Sequence, residues 1–461
     1  MVTTARTQER PDRARTSRPA TERTANLAAS GGEIRALTGL RAIAAGWVVV
    51  YHFWLLTPGA HWTRIIEPIR PLIQVGWLGV DLFFVLSGFV ITYTYLDRIG
   101  RRPGVRTAAS FYWNRLSRVW PTWLFVTGCF TAWLVVKHLT IGGPHVHESL
   151  QPQLSPANLL QQLFMVQTWD NAWYPGSSLV GPGWSLSAEW LAYLVFPVLV
   201  LGLYLIRRLP SAVLGLGAVA AMAPFAYVAY SRGIHDFEWS WLWRIAGAFL
   251  AGALVALCVR KLTVTPRVRR IASIVAAMTI VELVVVIWWA EASAGDFGGV
   301  AVLLFPVLVG SLSLADAGPA RFLSRPALVT GGRISFALYL VHIPIFEVFW
   351  TAMDVFPSLH AGSRLTTLLL PLVLVLPLPA AYGVWRYVEE PSRRAMRALS
   401  PGRRRPARAH AAPPAAAPPA AARPAAAGPA PARALDTFVP SPQLPPVPPP
   451  SRRPDPELVT S

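Results

Sequence analysis

Charge is scarce in this chain. Only 14% of its 461 residues are Asp, Glu, Lys or Arg, against about 25% in ordinary soluble domains, so the surface of a water-soluble globule cannot be covered. Lysine is nearly missing, with Lys137 and Lys261 set against 40 arginines, a bias that reads as GC-rich coding usage more than as chemistry. The two cysteines, Cys129 and Cys258, both lie in apolar runs, which excludes a disulfide framework and a Cys-x-x-Cys metal site. Large apolar residues are almost absent from positions 1–33, so no cleavable signal peptide is expected. What is abundant is hydrophobic residues, at 53%, together with a net charge of +19. A soluble polyanion binder would gather its cations on one wet face. Here long apolar runs separate them, which excludes nucleic acid as a partner and points to a polytopic protein of the lipid bilayer.

A spanning helix needs about 20 mostly apolar residues. Ten segments qualify: 35–56, 75–96, 119–137, 184–206, 211–230, 239–259, 271–290, 299–315, 334–353 and 366–386. The segment 299–315 is short enough to be read alternatively as re-entrant. Residues 392–461 carry 18 of the 43 prolines, and both this stretch and residues 1–33 are expected to be disordered. The organisation is therefore a disordered tail over 1–33, a transmembrane domain over 34–391 and a Pro/Ala/Arg-rich tail over 392–461. Orientation follows from arginine, which cytoplasmic loops retain. The loops 97–118, 207–210, 260–270 and 316–333 hold 16 Lys and Arg, whereas the opposite set holds five. The expected fold is thus an all-α integral membrane protein with about ten transmembrane helices and both termini cytoplasmic.

Ionisable side chains inside spans are costly and mark function. Arg41 and His52 stand eleven residues apart, which on an α-helix is three turns within about 20° and about 16 Å along the axis. They share a face, Arg41 at the cytoplasmic rim and His52 in the outer half. The plain alternative is a snorkelling arginine and a helix-packing histidine. Asp81 and Glu189 enter their spans from the outer side and are expected near the depth of His52, where a carboxylate on one imidazole nitrogen would make the other a general base. Arg244 enters from the same side, either to balance those charges or to hold an acceptor; a buried ion pair joining helices is the structural alternative. Arg115 and Arg118, at i and i+3, form with Arg41 a basic mouth suited to phosphates.

Six segments in order then carry a likeness: LTGLRAIAAGWVVVYH, GVDLFFVLSGFVIT, NRLSRVWPTW, GPGWSLSAEWLAY, ISFALYLVHIPIF and VEEP. Over about residues 34–391 the chain resembles the acyltransferase 3 family of polytopic membrane O-acyltransferases. The resemblance implies a bacterial multi-pass protein of the cytoplasmic membrane that moves an acyl group, usually acetyl, from acyl-CoA to a hydroxyl of a glycan, a lipid-linked sugar or a glycosylated metabolite. It implies His52 as catalytic base, Arg41 as its partner, Arg115 and Arg118 on the acyl-CoA side, and Glu189 as the acid of a Trp-Ser-x-x-x-Glu motif begun by Trp184. Ser335, Tyr339 and His342 match a Ser-x-x-x-Tyr-x-x-His segment. Phe336 departs from the pattern, which commonly has Tyr there. Tyr339, Ser335 or Ser187 could donate to the oxyanion, and either direct transfer or an acyl-histidine intermediate fits.

The outer loop 138–183, with His138, His145, His147, Trp169, Trp173 and Tyr174, is the expected site of acceptor recognition or else an interfacial aromatic belt. Its histidines lack metal-ligand spacing, and no metal is expected. Two other classes stay open at this point: a glycan or metabolite transporter or flippase, which also uses intramembrane charges, and a structural or sensory protein whose Pro-rich tail recruits partners.

Overall fold

The computed structural model describes residues 33–59, 66–141, 154–232, 236–292 and 297–399. Ten helical spans are long and apolar enough to cross a membrane, matching the ten apolar segments, and the described residues are otherwise short helices and turns. The tails 1–32 and 400–461 and the histidines His145 and His147 lie outside the described residues. The first spans are α1 (Arg35–Leu56), α3 (Leu78–Gly100) and α4 (Val105–Thr140), with the short α2 (Arg70–Gln74) before α3. After the surface helix α5 (Pro156–Phe164) come α6 (Gly183–Ile206), α7 (Ser211–Arg232), α8 (Ser240–Lys261) and α9 (Pro266–Ala292). The eighth span opens as a 3-10 helix, Phe297–Leu304, and continues as α10 (Phe305–Leu314). Pro306 at the start of α10 has no N–H to give, so the change of winding costs no α-helical bond there.

The short α11 (Pro319–Leu323) leads into α12 (Pro326–Val355), the ninth span. The tenth is composite: α13 (Arg364–Val375), α14 (Pro377–Val384), a π-helical turn at Trp385–Glu389 and α15 (Glu390–Ala398). Most spans overrun their expected bounds by a few residues, and α4 and the tenth span overrun them by more than ten. α4 starts at Val105, because the amphipathic segment before Trp120 continues the helix beyond its apolar part. α15 runs to Ala398, past the expected domain boundary at 391, because Trp113 Nε1 of α4 donates to Met396 O at 2.6 Å and fixes it there.

Two helix pairs form the centre. α3 packs along α8 so closely that a Cβ at Gly88 would stand 2.0 Å from Phe249 O, and one at Gly252 2.0 Å from Val85 O. α1 packs along α12 in the same way, with a Cβ at Gly332 falling 1.8 Å from Thr38 O. Without a hydrophobic force between helices in lipid, such backbone approach is what gains packing energy. Polar links tie the arginine-rich ends into one face: Arg35 donates to Ser324 O at 3.0 Å, Arg333 pairs with Glu33 at 2.7 Å, and Lys261 donates to Leu209 O at 2.7 Å. The segments counted as inner loops thus share a single basic face with the start of α1 and with α15.

Gly252→Ala is expected to lose about 1–3 kcal/mol of stability through overpacking, whereas Gly202→Ala, with open space around its Cβ, is expected to be neutral. Thermal unfolding of the two purified variants measures the difference.

Candidate active site

Six helices, α1, α3, α4, α6, α12 and α15, converge on one cavity at the basic face. Arg41 of α1, Arg115 and Arg118 of α4, Arg333 of α12, and Arg393 and Arg397 of α15 line a space of about 390 Å³ together with Glu33, Ser87, Glu189, Tyr193 and Trp385. Six guanidinium groups face two carboxylates, so the cavity is strongly cationic. Arg41 Nη2 donates to Ser335 Oγ at 3.3 Å, and that hydroxyl donates to Gly332 O at 2.9 Å. The Arg41 guanidinium lies 5.4 Å from the centre of the Phe83 ring, and Arg115 lies 5.7 Å from that of Tyr95 and 5.9 Å from that of Tyr193. Ring faces steady a cation without neutralising it. Nε of Arg41 and Nε of Arg115 are buried and have no hydrogen-bond partner among the described residues. A planar fork with donors to spare is the chemistry that grips phosphate.

From Arg41 a run of rings leads away from this cavity. Phe83 meets Tyr339 edge-on with centroids 6.3 Å apart, and Tyr339 lies 5.9 Å from His342. There the two histidines meet: His342 Nε2 is 3.2 Å from His52 Nδ1. Their tautomers follow from their partners. His342 Nδ1 faces Leu338 O at 3.2 Å, and a carbonyl can only accept, so Nδ1 carries the proton and Nε2 of the neutral ring accepts. His52 Nδ1 faces Val48 O at 3.0 Å as well as His342 Nε2; both accept, so the proton sits on Nδ1. The lone pair of His52 is thereby left on Nε2. His342 is fully buried while His52 is only partly so, an arrangement that presents one basic nitrogen backed by a second ring.

The family model for an acyltransferase domain matches residues 34–386. The chain belongs to the acyltransferase 3 family. Among similar proteins, Acyltransferase MdmB of Streptomyces mycarofaciens is 27% identical over 335 residues, which is 68% of this chain and 78% of that one. O-acetyltransferase OatA of Staphylococcus aureus is 28% identical over 171 residues, 36% of this chain and 24% of the relative, so the match spans about a quarter of OatA. No solved structure matches. The protein is a membrane acyltransferase with ten candidate spans, and the transporter and structural readings give way.

In this acyltransferase the intramembrane acids do not sit where the spans suggest. Neither Asp81 nor Glu189 is bonded to His52. Asp81 takes Arg244 in a two-pronged pair, Nε–Oδ1 3.0 Å and Nη2–Oδ2 2.7 Å, with both side chains buried. A carboxylate out of water binds the nearest fixed cation, and the pair joins α3 to α8, which was the structural alternative. Glu189 accepts from the hydroxyls of Ser87 and Tyr193 and faces the basic cavity. The place by the His52 imidazole that a carboxylate was expected to take is held by Val48 O and His342.

The remaining sequence candidates fall into two groups. Trp184 belongs to the Asp81–Arg244 cluster: its ring is 4.2 Å from that of Tyr174 and 5.0 Å from the Arg244 guanidinium. The three hydroxyls considered for an oxyanion are all engaged. Tyr339 donates to Pro182 O at 2.9 Å and meets Ser185 Oγ at 2.7 Å, Ser335 is bound as above, and Ser187 Oγ accepts from Thr168 N at 3.3 Å. Of the loop 138–183, Trp169 Nε1 donates to Ser187 O at 3.0 Å and Tyr174 donates to Asp236, so these two cover the N-terminal end of α6; Trp173 is exposed. Burial raises the Tyr174 phenol well above its ordinary pKa, with Arg244 acting in the opposite sense, and keeps it a donor.

Several residues escaped the sequence reading. Lys137, one of the five basic residues counted in the opposite set of loops, forms a fully buried pair with Glu347 at 2.6 Å between α4 and α12. The signal for it was there: one of two lysines at the end of an apolar run, matched by the single acid inside the ninth segment. Arg333 was counted only for orientation, and Arg393 and Arg397 were assigned to the tail.

Asp81→Ala is expected to cost about 3–5 kcal/mol by stranding Arg244 without its counter-ion, and a double variant, Asp81→Leu with Arg244→Met, is expected to recover most of that loss. Melting temperatures of the three proteins check this. A double variant that folds and still transfers acyl groups marks the pair as scaffold.

Proposed function

We propose that this acyltransferase takes an acyl group, acetyl in the simplest case, from acyl-CoA at the basic face and transfers it to a hydroxyl of a glycan, lipid-linked sugar or glycosylated metabolite reaching His52 from the other side. The observation that carries the reading is the joining, along α1, of a cavity rich in unneutralised arginine to a histidine whose Nε2 is free. The donor's phosphates lie against Arg41, Arg115 and Arg118, and its extended arm follows α1 toward His52, about 16 Å away. His52 Nε2 takes the proton of the acceptor hydroxyl as its oxygen attacks the thioester carbonyl. The tetrahedral oxyanion collapses with cleavage of the C–S bond. The leaving thiolate recovers that proton from His52, giving the ester and free CoA. His342 acts as a positioning residue: by accepting from His52 Nδ1 it holds the tautomer and eases the transient positive charge on the ring.

The setting is a bacterial cytoplasmic membrane with the basic face and both termini inside, supported by the concentration of Lys and Arg on that face and by the bacterial relatives. Relatives named as an acyltransferase and an O-acetyltransferase support acyl transfer to oxygen.

Membranes given labelled acyl-CoA and a hydroxyl acceptor are expected to lose transfer by about 10²–10⁴-fold in His52→Ala, the usual worth of a general base, with expression unchanged. His342→Ala is expected to lower kcat about tenfold, near the value of one hydrogen bond, while donor binding stays as it was. Wild-type transfer by His52→Ala overturns the assignment of the base.

A further inference from the structure

The donor reading needs three arginines, yet the cavity contains six, and the surplus comes largely from α15, the last helix of the composite tenth span. We propose that α15 is part of the donor site, with Arg393 and Arg397 holding the terminal phosphate of the nucleotide end of a CoA-type donor and Trp385 offering its ring to the base. This deepens the function proposed above and rests on it.

Three observations place α15 there. The helix is docked on the same α4 that carries Arg115 and Arg118, through the hydrogen bond from Trp113 Nε1 to Met396 O at 2.6 Å. Its inner side lines the cavity with Arg393 and Arg397, while Arg394, paired with Glu390 at 2.8 Å, is turned outward and is absent from the lining. In the π-helical turn Trp385–Glu389 just before it, Trp385 lines the cavity and Glu389 is buried within electrostatic reach of Arg118, Arg393 and Arg41. Single π turns of this kind recur at functional sites.

The charges argue for a polyanion. Arg397 lies within electrostatic reach of Arg393, Arg115 and Arg118, all of one sign, and Arg41 and Arg115 each keep a buried Nε with no hydrogen-bond partner among the described residues. Like charges gathered at low dielectric repel one another; Glu33 pairs with Arg333 and Glu390 with Arg393 as well as Arg394, and Glu189 and Glu389 together do not cancel Arg41, Arg115, Arg118 and Arg397. A ligand with several phosphates removes the conflict. The order of entry assigns the ends: a donor that enters thioester first leaves its nucleotide at the mouth, where Arg397 is exposed while Arg41, Arg115 and Arg118 are partly buried. The diphosphate then falls to the deeper arginines and the terminal monoester to α15. A phosphate monoester on two guanidinium forks is worth several charge-assisted hydrogen bonds.

The test is ligand-dependent thermal stabilisation of the purified full-length protein by CoA, 3′-dephospho-CoA and pantetheine, which converts to apparent Kd. The wild type is expected to bind CoA about ten times more tightly than dephospho-CoA, and pantetheine weakly or not at all. Arg393→Ala and Arg397→Ala are expected to weaken CoA about tenfold and leave dephospho-CoA unchanged, so that the preference disappears. Trp113→Phe, which alters no arginine but frees α15, is expected to reduce the same preference. Arg394→Ala is expected to behave as wild type. A wild type that binds both nucleotides equally, or Arg393 and Arg397 variants that keep the full preference, overturns the assignment of α15 while leaving the donor reading intact. A wild type stabilised by none of the three ligands overturns the donor reading itself.

Discussion

The bidentate pair between Asp81 and Arg244 is the interaction on which the rest of this bundle rests. Two ions taken out of water are tolerable only in good mutual geometry with their remaining donors satisfied or shielded. Here the guanidinium adds a hydrogen bond to Trp77 O and lies against the rings of Trp77, Trp184 and Phe225. The pair fixes α3 against α8 in rotation as well as distance, which the glycine contacts between them require, because Gly88 and Gly252 meet opposing backbone only in one register. Once α3 is fixed, Phe83 faces Arg41 and Ser87 faces Glu189. Lys137 and Glu347 do the same for α4 and α12, and α12 carries His342.

The cationic cavity obeys the opposite rule. Where the scaffold pairs its buried ions, Asp81 with Arg244 and Lys137 with Glu347, the cavity pairs only Arg333 with Glu33 and Arg393 with Glu390 among its described arginines and steadies the rest with ring faces and a few hydroxyls. That contrast separates structural charge from functional charge better than burial does, since Arg244 and Arg41 both lie inside spans. It also explains why Glu189 is better read with the arginines than with His52. A carboxylate bonded to Ser87 and Tyr193 moderates the local positive field without occupying the guanidinium forks.

The sequence made the architecture legible because spanning helices are written in long apolar runs, and arginine bias gave one shared face for the right loops. It also showed Arg41 and His52 on one side of one helix, since a single helix has a known pitch. Contacts between helices were harder, because the rotation of one helix about its axis relative to another leaves no mark in hydropathy. Hence Asp81 and Glu189 were both set beside His52, whereas one pairs with Arg244 and the other lines the basic cavity, and the His52–His342 bond could not be derived although both residues were named. Composition misled at the C-terminal edge: Ser392–Ala398 looks like the Pro/Ala/Arg tail that follows it, yet its arginines are spaced as one helical face and Trp113 supplies the dock.

The continuity of α1 has a consequence of its own. Because Arg41 and His52 are carried by one unbroken helix, the separation between where an anion is held and where a proton is taken cannot adapt to the ligand. The helix is a ruler. On the proposed reading, a small activated acid such as an acyl phosphate, gripped by the same arginines, would present its carbonyl three turns short of the base. Only a donor whose reactive group travels on a long, slender arm spans the gap, so selection falls on the carrier, and the length of the acyl group itself is left to the space around the histidines.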